Sequence, residues 1–456
     1  MATPHGRLFG TNGVRFIPGV SADLEFVIKF AECLGTYFAE GELLVARDGR
    51  LSGEALSLAL TSGLMSSGMD VAEAGLVPTP AMQYAVKALG YRGGVMVTAS
   101  HNPAQYNGLK VMGADGVEIN RLDEQKVEKV FRDGSFDRAD WKEVGTSRAE
   151  PSVVRTYLSG ILSKVNSRSI AGRKFSVVVD PGNGAQCVAA PYLLDMLGCK
   201  VITINSIVDG SFPGRGPEPT PETLGDLGAS VRAAGADLGV AYDGDGDRAI
   251  FCDENGTVCW GDLTGSLLAD YLAERTPDAT IVTPVSSSQV IESVASKRNA
   301  KVIRTRVGSV DVSRTVIERG ALFGFEENGG CIYPAHIAVR DGGMTTALML
   351  ECLAARGLAF SKVLANALPR FFQAKTKVHV APEKVKEAMR KIEKQAGADV
   401  EKVDGLKIWT DEKSWVLVRP SGTESMIRVF AESDTQEKAN SIFKKYVRLV
   451  KSASAS

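Results

Sequence analysis

Three times along the chain an apolar strand leads through a polar, turn-forming loop and an amphipathic helical stretch into a second apolar strand. The first copy runs from Leu43-Leu44-Val45-Ala46 through Arg47-Asp48-Gly49-Arg50 to Met69-Asp70-Val71. The second runs from Phe175–Val179 through Asp180-Pro181-Gly182-Asn183-Gly184 to Lys200–Thr203, and the third from Thr280-Ile281-Val282 through Ser286-Ser287-Ser288 to Lys301–Arg304. Strands alternating with helical patterns at this spacing predict βαβ units on largely parallel sheets. Each copy continues into a third apolar strand (Gly94–Val97, Leu238–Ala241 and Ala321–Phe323) that ends in an unusual loop. Ligands of open α/β sheets bind beyond the carboxyl ends of strands, so three such loops are expected to line one shared cleft. The competing reading is three independent domains with decorative loops.

The remainder differs. A strand-like Lys375–Val380, a charged helix near 383–395, three further strands and a helix near 436–450 predict a smaller α+β unit. A length of 456 residues allows three or four domains. The expected division is 1–150, 151–253 and 254–368 for the three similar α/β domains and 369–456 for the α+β domain, with Ser452–Ser456 fraying. The fold class is therefore α/β, with mixed, largely parallel sheets around one central cleft. Lys plus Arg number 53 against 54 Asp plus Glu, which argues against a nucleic-acid partner held by phosphate neutralisation. No apolar run is long enough to span a membrane. The 7 cysteines, an odd number without C-x-x-C, fit reduced thiols and a cytoplasmic location. With 4 histidines, histidine-rich metal chemistry is excluded.

The loop Asp243-Gly244-Asp245-Gly246-Asp247-Arg248 brings three carboxylates together at alternate positions. They repel one another unless a hard cation sits among them, and oxygen ligands suit Mg2+ or Ca2+. An EF-hand is rejected because Arg248 stands where that loop needs Gly, and the flanks read as strands. A solvated acidic turn remains the alternative. Gly244, Gly246 and Ala249 formally match G-x-G-x-x-A, but interleaved aspartates repel a pyrophosphate. Gly182-Asn183-Gly184 has Cys187 in the place of a third Gly, which leaves a dinucleotide-dependent sugar dehydrogenase a remote reading.

Thr98–Asn107 follows a buried strand and presents Ser100 at the strand end, with His101 beside it and Lys110 ten residues on. A serine becomes a nucleophile only where its proton is removed or replaced, and Lys110 suits acid–base work if its pKa is lowered. A turn that caps a helix is the alternative. Arg419-Pro420-Ser421-Gly422-Thr423 offers hydroxyls and backbone amides for an anion, and Arg428 on the next strand completes a phosphate clamp; a plain hairpin is the alternative. Glu326 and Asn328, in Glu326-Glu327-Asn328-Gly329-Gly330, suit sugar hydroxyls and equally suit a turn. A cation site, a serine, a lysine and a phosphate clamp together point to phosphoryl transfer on a polyhydroxylated small molecule. A non-catalytic sugar-phosphate sensor is the alternative of a different class.

Thr98-Ala-Ser-His-Asn-Pro103, Asp243-Gly-Asp-Gly-Asp-Arg248 and Leu8-Phe-Gly-Thr-Asn-Gly-Val-Arg15 resemble the α-D-phosphohexomutase family in motif and order, over essentially the whole chain. The resemblance implies four domains around one cleft and one Mg2+ per chain, held by Asp243, Asp245, Asp247 and a phosphorylated Ser100. It implies transfer between O6 and O1 of a hexose phosphate, with a sugar bisphosphate as intermediate and catalytic activator. Lys110, Arg15, His101 and Arg248 fall among its catalytic positions. Glu326, Asn328 and Gly308 fall near the sugar, and Arg419, Ser421, Gly422, Thr423 and Arg428 at the non-reacting phosphate. Asn328 stands where many members have Ser, while Gly330 and Ser309 stand where many or some have His. That leaves a histidine proton shuttle without its residues and gives Lys110 more weight. Glucosamine phosphate is the expected substrate, with a bifunctional mannose/glucose enzyme second. A monomer or homodimer without nucleic-acid or membrane partners is expected.

Overall fold

In the computed structural model, which describes residues 8–10, 12–396, 400–421 and 426–455, the repeat becomes three sheets of one pattern. In each, the first strand of the repeat pairs in parallel with both later strands, and the third strand pairs with an antiparallel return. Glu42–Arg47 lies between Asp70–Leu76 and Gly93–Val97, and Asn107–Gly113 returns beside the latter. Ser176–Asp180 lies between Lys200–Thr203 and Leu238–Tyr242, with Ala249–Asp253 returning. Thr280–Pro284 lies between Lys301–Thr305 and Phe323–Phe325, with Cys331–Tyr333 returning. The loops 98–106, 243–248 and 326–330 are therefore equivalent: each joins a third strand to its return.

Chemistry accounts for the pattern. Gly93–Val97 and Leu238–Tyr242 are buried along their whole length, as strands must be when helices cover both faces. The first sheet gains Val14–Phe16 on the far side of its return strand and Ser147–Ala149 at the other edge. The second extends past residue 253, because the turn at Asn255-Gly256 folds Val258–Cys259 back onto Ala249–Asp253. One apolar core runs through all three segments, with Met82, Tyr157, Val177, Ile281 and Phe323 in a single cluster. Among the described residues, no helix is long and apolar enough to cross a membrane.

The fourth sheet is antiparallel throughout, ordered Phe372–His379, Met426–Ser433, Ser414–Pro420, Leu406–Asp411, Val400–Glu401. Alternation divides its faces. Val416, Val418, Ile427 and Val429 face the core shared with helices Pro382–Ala396 and Gln436–Ala455. Trp415 and Leu417 face the other way and pack on Val285, with Val307 and Phe430 beside them. The C-terminal helix does not fray at Ser452. Its apolar stripe continues through Val450 to Ala453, and Ser454 Oγ donates to the Val450 carbonyl at 2.9 Å.

Polar groups join the fourth sheet to the third segment. Glu432 accepts from Gln289 N at 2.8 Å, Trp415 Nε1 at 3.0 Å and Gln373 Nε2 at 2.6 Å. Asp262 is buried beside them, with Oδ2 taking a 3.3 Å bond from Gln373 Nε2. Burial, which Lys375 only partly offsets, pushes its pKa up to about 7, with Glu327 and Glu432 adding to the rise. A carboxyl raised on folding binds more protons in the native state between its unfolded value near 4 and about 7, so stability falls as pH rises through that window. Asp262→Asn, isosteric with the neutral acid, should melt higher than the parent at pH 8, with the gap narrowing towards pH 4. Thermal melts of the two proteins across that range check this.

Candidate active site

Ser100 sits where the first and second segments meet. Its φ of 51° is unusual for a residue with a Cβ, and it turns the side chain away from an extended course. For that reason Ser100 and His101 do not point apart, as neighbours on an extended segment do; Ser100 Oγ lies 3.4 Å from His101 Nδ1. The same Oγ donates to Asp243 Oδ2 at 3.0 Å. Serine and carboxylates, 143 positions apart in the chain, are thus in direct contact.

Asp243, Asp245 and Asp247 are buried, and one ligand oxygen from each lies within 4.8 Å of the others. Lys110, itself buried, donates to Asp245 Oδ2 at 2.7 Å and Asp247 Oδ2 at 3.3 Å. Thr79, in the first turn of helix Thr79–Leu89, donates to Asp245 Oδ2 at 2.7 Å and holds the Asp245 carbonyl with its backbone N–H at 2.9 Å. Asp245 Oδ1 and Asp247 Oδ1 are buried with no hydrogen-bond partner. A buried carboxylate oxygen left unpaired is costly, so these two atoms suit a hard cation.

Burial and the two neighbouring carboxylates push Asp243 well above the ordinary carboxylate range. Burial works against Asp245 as well, but Lys110 and Thr79 outweigh it and hold that carboxyl far below the range. Lys110 loses solvation, yet Asp245, Asp247 and Glu118 more than compensate, and its pKa rises. Within this set of side chains the aspartates favour the charged form of Lys110. Arg248 and burial drive His101 the other way, well below its ordinary value, and its Nδ1 lies 3.0 Å from Arg248 Nη2. Arg15 reaches the loop from the edge strand of the first sheet, bonding the Ala99 carbonyl and Asn102 Oδ1. Burial brings it down to about 10.

The third loop joins the second directly, because Gly329 O accepts from Ala249 N at 3.1 Å. Glu326 is buried and pairs with Arg340 at 3.0 Å. The other end of the Arg340 fork reaches Asp247, so one guanidinium links the third loop and the carboxylate cluster. With its amide oriented so that both ends are satisfied, Asn12 accepts from Arg340 Nη2 and Ser309 Oγ at 3.1 Å and donates to Glu118 at 3.2 Å, tying in the first segment. Asn328 Oδ1 closes its own turn on Gly330 N at 3.2 Å. A Cβ at Gly330 would lie 2.4 Å from Arg340 Cδ, so the absence of a side chain there makes room for the arginine. Gly308, at φ 153°, opens helix Ser309–Glu318, and the preceding Val307 N donates to Asp404 at 3.0 Å. Asp404 also accepts from Arg419 Nε at 2.6 Å. Arg419 and Arg428 are cross-strand partners, and Ser421 N closes the pair of strands on the Met426 carbonyl at 2.9 Å. Gly422 and Thr423 lie outside the described residues, as does Thr11.

Comparison with known proteins agrees with this geometry. Family models described as phosphoglucomutase/phosphomannomutase, alpha/beta/alpha domains I, II and III, match residues 6–138, 155–256 and 260–371, and the C-terminal domain matches 376–449. The chain belongs to the phosphoglucomutase/phosphomannomutase family. It is 43% identical to a phosphoglucosamine/phosphogalactosamine mutase of Sulfurisphaera tokodaii, covering 98% of this chain and 99% of that one. It is 41% identical to a phosphoglucomutase/phosphomannomutase of Thermococcus kodakarensis, with the same coverage. A crystal structure of a family protein from Burkholderia thailandensis superposes with a TM-score of 0.87 at 27% identity, over 98% of this chain and 97% of that one.

Two arginines of this family member escaped the sequence reading. Arg340 ends a short strand, Ile337–Arg340, and carried no motif. Arg50 lies in the first repeat's loop, and its partners are backbone carbonyls, which leave no trace in side-chain pattern. It donates to the carbonyls of Ser100 at 2.7 Å, Asn102 at 2.6 Å, and Pro103 and Tyr106 at 2.8 Å. Its Nε pairs with Asp48, which takes Thr98 Oγ1 at 2.6 Å; Thr98 Oγ1 in turn accepts Ser100 N at 2.8 Å. The whole turn that presents Ser100 thus hangs on one buried fork. Arg50→Ala should lower kcat by about a hundredfold through misplacement of Ser100, with KM little changed. Arg50→Lys should not recover it, since an ammonium lacks the planar fork. Steady-state kinetics, with a melt to report the folding cost, check both.

Proposed function

We propose that this phosphohexomutase moves a phosphoryl group between O6 and O1 of a hexose phosphate through Ser100, with glucosamine 6-phosphate and glucosamine 1-phosphate as its principal pair. The carrying observation is the contact of Ser100 Oγ with Asp243 inside a cluster of three buried carboxylates. On this reading Asp243, Asp245 and Asp247 would hold one Mg2+, together with a phosphate oxygen on Ser100, and the ion would offset charge on the transferring phosphoryl. The donor set fits a hard divalent cation, being all oxygen and including two buried oxygens without a hydrogen-bond partner.

The chain's own residues do the rest. Phosphoserine loses its P–O bond as a sugar hydroxyl oxygen forms one, giving the bisphosphate and leaving Ser100 as a hydroxyl. The bisphosphate then presents its other phosphoryl group to Ser100 Oγ, which restores phosphoserine. Lys110, Arg15 and Arg248 meet the charge that spreads over the phosphoryl oxygens, which is where stabilisation counts in this chemistry. His101 borders the same atoms. Glu326 and Asn328 contact the sugar, beside Gly308. Arg419, Ser421, Gly422, Thr423 and Arg428 grip the phosphate that does not react. Directly opposed on neighbouring strands, Arg419 and Arg428 place two guanidinium forks where one anion can meet both. The four segments each supply one part, and the pairing of Val258–Cys259 with Ala249–Asp253 supports counting these residues with the second. A sugar bisphosphate serves as activator by phosphorylating Ser100.

A bifunctional mannose/glucose enzyme is the second reading, supported by the Thermococcus kodakarensis relative. A substrate panel with Mg2+ and the bisphosphate separates the two by kcat/KM. Purified protein should carry phosphate on Ser100, and Ser100→Ala should abolish turnover. Peptide mass analysis that places phosphate elsewhere, with the variant active, overturns the assignment. Holding and reading should also separate. Arg428→Ala should raise KM for glucosamine, mannose and glucose phosphates alike, roughly ten- to hundredfold for a lost charge-assisted hydrogen bond. Glu326→Ala should change the ratio of kcat/KM between sugars instead, and a two-variant, three-substrate matrix reads out both.

A further inference from the structure

The fourth sheet carries more positive charge than its arginine pair. Register places Arg428 opposite Arg419 on one side and opposite Lys377 on the other. Residues directly opposite across antiparallel strands share a face, so Lys377, Arg428 and Arg419 form a row across three strands. The face is identified independently. Trp415 and Leu417, four and two residues before Arg419, dock on Val285 of the third segment. Lys375, two residues before Lys377, bonds Glu327, the neighbour of Glu326 in the sugar loop, and its ammonium lies 5.6 Å from the centre of the Phe430 ring. One end of this face is therefore packed against the third segment, and the other end presents the basic row beside the loops that hold Glu326 and Gly308.

Within that row Lys377 is the odd member. Arg419 has Asp404 as a counter-ion, and Lys375 has Glu327. Lys377 is exposed and makes no ion pair or side-chain hydrogen bond with any described residue. Cations facing each other across strands repel, so a lysine in line with two arginines makes this face favourable to an anion.

We propose that Lys377 is a third cationic arm of the phosphate site, binding the non-transferring phosphate of the sugar phosphate or bisphosphate together with Arg419 and Arg428. This rests on the reading of the fourth sheet as a phosphate clamp. A dianionic phosphate has oxygens for more than a pair of guanidinium forks, and a lysine supplies a mobile point charge that follows the group as the sugar changes orientation.

The test is equilibrium binding of glucose 1-phosphate by calorimetry, in full-length protein carrying Ser100→Ala so that no turnover intervenes. Adding Lys377→Ala should weaken binding by about tenfold, the lower end for a charge-assisted hydrogen bond at an exposed position. Adding Lys377→Arg should keep the affinity near that of the parent, and raising ionic strength should shrink the difference between alanine variant and parent. If Lys377→Ala binds as the parent does while Arg428→Ala binds weakly, Lys377 has no part in the clamp. If Arg428→Ala also binds as the parent does, the clamp itself is wrongly placed and the proposal goes with it.

Discussion

Three carboxylates whose oxygens lie within 4.8 Å of one another, all buried, are the constraint on which the rest of this molecule turns. Ionised and alone they would unfold their loop, because like charges stripped of water repel strongly. The fold answers with cations: Lys110 from the first segment, Arg340 from the third, and Arg248 from the loop itself, with Nε 3.7 Å from Asp247 and 3.8 Å from Asp243. Since none of these partners is local except Arg248, the cluster is stable only when three segments are assembled. The shared apolar core running through all three is the packing counterpart of that electrostatic requirement.

Close approach of backbones follows from the same need. A Cβ at Gly244 would lie 2.6 Å from the Ser100 carbonyl, and one at Gly329 would lie 2.5 Å from the Ala249 carbonyl. Glycine at these places lets the serine loop, the carboxylate loop and loop 326–330 touch through main chain, leaving the side chains free to point inward. Helix Gly342–Arg356 begins against the same loop, with Asp341 capping Met344 N at 2.9 Å and a Cβ at Gly342 falling 2.8 Å from the Gly246 carbonyl. The site is therefore braced by helix termini as well as by sheets.

Much of this was legible in the chain. The three repeats and the loops at their ends correspond to the three sheets and their return connections, because burial on both faces imposes apolar runs, and turns impose Gly, Asn and Asp. What escaped detection shares one property: partners far apart in sequence that carry no signature of their own. Arg50 meets carbonyls 50 to 56 residues away, and Arg340 meets Asp247 across 93 positions. Nothing in Ile337-Ala338-Val339-Arg340 announces that contact. The surroundings of Lys110 were hidden for a related reason, since they are two aspartates 135 and 137 residues on. The terminal serines read as a tail only when the apolar stripe ending at Ala453 is overlooked.

The empty space at Gly330 bears on how such a site changes over generations. Arg340 is anchored at its far end by Asp247 and Glu326, so its aliphatic stem cannot swing aside for a new side chain at 330. Any larger residue there must wait for the arginine to leave, and the arginine cannot leave without exposing two acids to each other. The two positions are thus coupled in this structure, and a side chain at 330 calls for a smaller or displaced residue at 340.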